Sequence, residues 1–103
     1  MSRSAAAHAR AQPPLVLAEA RKREAEEYFR RQQFPAAAAA FGEALALAKE
    51  GDAALRIALA SNLALAALKA GDARKAEAAC GAALDLDPKS HKARFRRGVA
   101  RGQ

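Results

Sequence analysis

The 103-residue sequence has no tryptophan and no threonine, and only Val16, Ile57 and Val99 are β-branched. A sheet draws on β-branched and aromatic residues, so a β fold is excluded. Cys80 is the lone cysteine. It rules out an internal disulfide and any Cys-cluster metal site, and it fits a reducing compartment such as the cytoplasm. No apolar run approaches the roughly 20 residues of a membrane span. Aromatics are scarce, with four Phe and one Tyr. Alanine is not: it supplies 32 residues, against 11 Leu. Such a composition cannot fill a thick core. It suits thin helix-on-helix packing in a single small domain, and Ala, Leu, Glu, Lys, Arg and Gln are the strong helix formers.

The formal charge of +7 is unevenly spread. Residues 18–51 hold six basic and six acidic residues, and residues 52–90 hold five of each. Residues 91–103 carry Lys92, Arg94, Arg96, Arg97 and Arg101 and no acid. A nucleic-acid surface needs basic residues along a whole face, and only Phe95 interleaves this cluster, so nucleic acid is not the expected partner. A membrane is not expected either.

Residues 1–14 are acid-free and end in Pro13-Pro14. They read as a disordered tail, or else as an Arg- and Ser-containing organelle presequence. With Met1 at its head, the chain reads as a whole short protein or as part of a longer one. Beyond the tail, one domain is expected over 15–103. The pattern predicts a first helix over Leu15–Arg31, broken by Gln32-Gln33-Phe34-Pro35. A second opens at Pro35 and ends near Glu50, with Gly51 as a left-handed cap. Asp52 caps a third helix to about Ala70, and Gly71-Asp72 repeats the stop-and-start signal. A fourth runs to about Leu86, and Ser90 caps a fifth from His91 to about Gln103. Ala93, Val99 and Phe95 form the expected inner side of that last helix.

This is helix–turn–helix twice over, then a lone helix. Sliding Ala37–Ala48 along the chain onto Ala76–Asp87 makes Gly42 coincide with Gly81, Leu45 with Leu84 and Leu47 with Leu86. The chain is an internal repeat.

At this level the sequence resembles the tetratricopeptide repeats, whose unit is about 34 residues of helix–turn–helix. Residues 57–90 carry Gly71 in the turn, Ala76 and Ala83 as small packing residues, and Pro88 at the end. Residues 18–51 match through Tyr28, Ala37, Phe41 and Ala44, with Ala25 where the family often has Gly and no terminal proline. Residues 91–103 begin a third unit. The resemblance implies an all-α superhelix of antiparallel hairpins, with two full repeats and a terminal helix.

Within that family the chain looks like the carboxylate-clamp domains of co-chaperones and immunophilins. Their first helices line a groove that holds the C-terminal peptide of 70 or 90 kDa heat-shock chaperones, ending Glu-Glu-Val-Asp. The resemblance assigns peptide binding to Lys22, Asn62, Lys92 and Arg96, and puts Glu26 where the family has Asn. The spacing is compatible with that role. Lys22/Glu26 and Lys92/Arg96 are i,i+4 pairs, so each pair shares one helix face. Two cations one turn apart repel unless an anion sits between them, and terminal-carboxylate capture is a recurring recognition mode. Glu26 has the wrong charge for it. Either the groove takes another ligand, or the clamp is degenerate and the chain is a generic scaffold for another partner, or Arg30 one turn on compensates.

No phosphate loop, Ser/His/Asp set or His ligand spacing appears, so neither an enzyme nor a cofactor is expected. Cys80 reads as core.

Overall fold

A computed structural model describes residues 13–102. The expected tail of residues 1–14 lies, up to residue 12, outside the described residues. Among them there are five helices and no strand: α1 (Pro14–Arg30), α2 (Phe34–Leu47), α3 (Ala53–Lys69), α4 (Ala73–Leu86) and α5 (His91–Ala100). Consecutive helices pack on one another, and α5 also touches α3. The architecture is all-α, two helical hairpins and a fifth helix.

The two hairpins keep one register. Residue 14 maps onto 53, 30 onto 69, 34 onto 73 and 47 onto 86, so all four helix boundaries coincide. Their turns coincide too. In the first, Gln32 N–H donates to Phe29 C=O and Gln33 N–H to Tyr28 C=O, both at 2.9 Å. In the second, Gly71 N–H donates to Leu68 C=O at 3.1 Å and Asp72 N–H to Ala67 C=O at 2.9 Å. Both are Schellman closures, which need a left-handed residue at the turn. Gly71 supplies it with φ 79° and Gln32 with φ 60°. A side chain there costs about 1 kcal/mol that glycine does not. Gln32→Gly should therefore stabilise the protein by about 0.5 kcal/mol after the entropy glycine adds to the unfolded chain. Gly71→Ala should destabilise it by about 1 kcal/mol. Urea unfolding of the two variants checks both signs.

Asp52, Asp72 and Ser90 each cap a helix: their side-chain oxygens accept from Leu55, Lys75 and Ala93 N–H at 2.8, 3.1 and 3.1 Å. Gly51 does not take the expected left-handed conformation, since Gly71 and Gly102 are the glycines with positive φ among the described residues. α2 stops at Leu47, and Gly51 sits where space is short. A Cβ there would lie 3.1 Å from both the Ala48 carbonyl oxygen and Leu15 Cδ2.

Fifteen of the nineteen buried hydrophobic residues among those described are alanine. The core joins Ala18 and Ala25 of α1 to Ala37, Phe41 and Ala44 of α2, Leu59 and Ala66 of α3, and Cys80 of α4. A smaller cluster of Ala60, Ala83 and Ala93 fastens α5. Val99 and Phe95 do not join it: they are 45% and 74% exposed. Ala93 fixes which face of α5 turns inward. Phe95 lies two residues on, about 200° round the helix, and so turns away.

Candidate functional site

α1 carries Lys22 and Glu26 one turn apart, and their side chains meet: Lys22 Nζ lies 3.3 Å from Glu26 Oε2. Glu26 also borders an open cavity of about 380 Å³ with Phe29 and Arg30 of α1, Phe41 of α2, and Asn62 and Leu65 of α3. Phe41 is buried, 2% exposed. The cavity thus sets one carboxylate, one guanidinium and one carboxamide over an aromatic and aliphatic floor.

Arg30 does not neutralise Glu26. Its guanidinium donates to Glu27 through both Nε, at 3.1 Å, and Nη2. Arg31 adds an ion pair to the same carboxylate at 3.1 Å. The Arg30 hydrogen bond, then its charge, holds the Glu27 carboxyl below the usual range. Glu26 therefore faces the cavity with Lys22 as its counter-charge.

The basic residues of α5 diverge. Arg96 is half-buried, and its Nη1 donates to Ser61 C=O of α3 at 2.8 Å. That carbonyl sits inside a helix, and its second lone pair accepts the guanidinium. Arg94 turns back to Pro88 C=O at 3.0 Å. Lys92 is exposed. Burial draws the Arg96 pKa down, and burial pushes the Cys80 thiol up against the opposing charges of Arg96 and Arg97. Cys80 is fully buried and so is no activated nucleophile.

Four of the five expected binding residues are therefore linked in a chain, and Lys92 stands outside it. Lys22 joins Glu26, Glu26 shares a cavity with Asn62, and Arg96 reaches the α3 backbone one residue from Asn62. Lys92 and Arg96 do not line that cavity. Lys92 and Arg96 keep their i,i+4 spacing, and Arg96 already has a main-chain partner. Phe29 and Leu65 were not among the expected site residues. Each lies three residues after a named one, Glu26 and Asn62, and i,i+3 spacing puts them on the same face.

Among the described residues, no three His, Cys, Asp or Glu side chains cluster as a metal site, and no helix is long and apolar enough to cross a membrane. No protein-family model matches the chain, and a search of curated proteins also finds no match.

Proposed function

We propose that the chain is a tetratricopeptide-type, non-enzymatic interaction module that captures the acidic C-terminal peptide of 70 or 90 kDa heat-shock chaperones in the cytoplasm. The observation that supports this most is the Arg96 guanidinium, fixed on α3 at Ser61 beside Asn62. One of its five N–H groups is used there, and the others remain for a carboxylate. Lys92 lies one turn back on the same helix, exposed. A terminal carboxylate and an Asp side chain would together meet two cations and an amide. Each charge-assisted hydrogen bond is worth about 1.5–3 kcal/mol.

A second reading has its own observation. The Lys22–Glu26 ion pair removes one cation from the clamp and turns a carboxylate toward the cavity. On that reading the chain is a generic repeat scaffold with a degenerate clamp, and it docks a different partner.

Calorimetric titration with a peptide ending Glu-Glu-Val-Asp and with its C-terminally amidated twin separates the two. Peptide capture requires the free-acid form to bind and amidation to weaken it by about tenfold or more, the loss of one charge-assisted contact. Equal binding of the two forms, or none, sinks the clamp and leaves the scaffold.

A further inference from the structure

On the α4 side of α5, away from Arg96, a second depression of about 360 Å³ is lined by Arg74, Glu77, Ala78, Gly81, Arg97 and Arg101. Arg74, Glu77, Ala78 and Gly81 follow i,i+3,i+4,i+7 spacing, so they form one face of α4. Arg97 of α5 and Arg101, the residue that caps its C-terminus, are four apart and face it. Arg101 Nε lies 3.5 Å from Glu77 Oε2, a loose ion pair with both side chains nearly half exposed. Three guanidiniums thus surround one carboxylate, a local excess of two positive charges. The floor between them is Ala78 and Gly81, both small, and the space over Gly81 is open: a Cβ built there would meet nothing within 4 Å.

We propose that this depression is a binding site for a phosphomonoester, carried by a phosphorylated Ser or Thr side chain of a protein partner. Such a group has a charge of about −1.5 to −2 at neutral pH, which matches the excess. Its oxygens fit the planar fork of arginine, which binds phosphate in a bidentate way that lysine cannot copy. The small floor lets the group approach the helix surface. The lining contains no aromatic ring, and Phe95 lies on another face of α5, so stacked bases of a single strand find no platform here. Glu77 holds Arg101 when the site is empty and competes with the anion when it is full. Of the five basic residues of 91–103, peptide capture leaves Arg94, Arg97 and Arg101 without a role, and this site accounts for the last two.

The test uses the full chain and a short peptide with one central phosphoserine, its unphosphorylated twin, inorganic phosphate, and a single-stranded oligonucleotide. Arginine side-chain NMR shifts report the location. The phosphopeptide should bind at least about tenfold more tightly than its twin and move the Arg97 and Arg101 signals ahead of the Arg96 signal. Inorganic phosphate should move the same two signals more weakly. Arg97→Gln should weaken phosphopeptide binding by about fivefold or more, Arg97→Lys should restore only part of it, and Glu77→Gln should strengthen it. Melting curves of each variant confirm that it is folded. Equal binding of both peptides, uniform movement of all arginines, unchanged affinity in Arg97→Gln, or tighter binding of the oligonucleotide than of the phosphopeptide would each overturn the proposal.

Discussion

Leu59→Ala should cost about 3 kcal/mol of stability, a loss typical of emptying a fully buried core position. Leu59 is fully buried, with no exposed surface. The core cluster that holds Leu59 is mostly alanine, whose side chains have no χ rotamers and cannot swing into a void. A cavity left there stays open. For a domain of this size each kcal/mol moves the thermal midpoint by about 4–8 °C, so the drop should be about 15 °C. Circular-dichroism melts of Leu59→Ala and of Leu65→Ala provide the comparison. Leu65 lines the open cavity rather than the core, so its truncation should cost well under half as much. Equal losses would mean that burial in the core does not set the stability.

Glu26→Asn should tighten binding of an acidic peptide C-terminus by about tenfold, equivalent to one restored charge-assisted contact. Two effects have the same sign. The substitution removes a carboxylate that repels the ligand, and it frees Lys22, whose Nζ is held 3.3 Å from Glu26. The ion pair is partly exposed, and such pairs contribute about 0.5 kcal/mol or less, so folding should barely change. Binding calorimetry on the wild type and the variant decides it. An unchanged affinity would mean that peptide, if bound at all, does not pass Glu26.

Much of the backbone was legible because its punctuation is chemical. Asp52, Asp72 and Ser90 were expected caps, and each accepts the hydrogen bond that a cap should. Gly71 was legible as a turn for the same reason. Gln32 was not, because nothing about a glutamine announces a left-handed residue. Only the shared register with Gly71 reveals it. Gly51 misled in the opposite way, since a glycine after a helix suggests a cap when its actual constraint is the nearness of Leu15. At the site, the pairing of Lys22 with Glu26 was readable as an i,i+4 contact. The choice of Arg30 between Glu26 and Glu27 was not, because both lie within a turn of it. Least legible was Arg96, whose partner is a main-chain carbonyl 35 residues away. Main-chain acceptors leave no trace in a side-chain pattern.

The order in which these helices touch has a mechanical consequence. The two helices of each hairpin pack on one another, and the main packing between hairpins runs through α2 and α3, where Ala37, Phe41 and Ala44 share a core with Leu59 and Ala66. Helices stacked in one dimension cooperate only as far as each joint transmits strain. A helical hairpin alone cannot bury its hydrophobic face. The joint between α2 and α3 is therefore what makes one folding unit out of two. Loosening it by enlarging a single alanine would divide the unfolding transition as well as lower it. The melting curve would broaden or split while the helix content at low temperature stayed nearly the same.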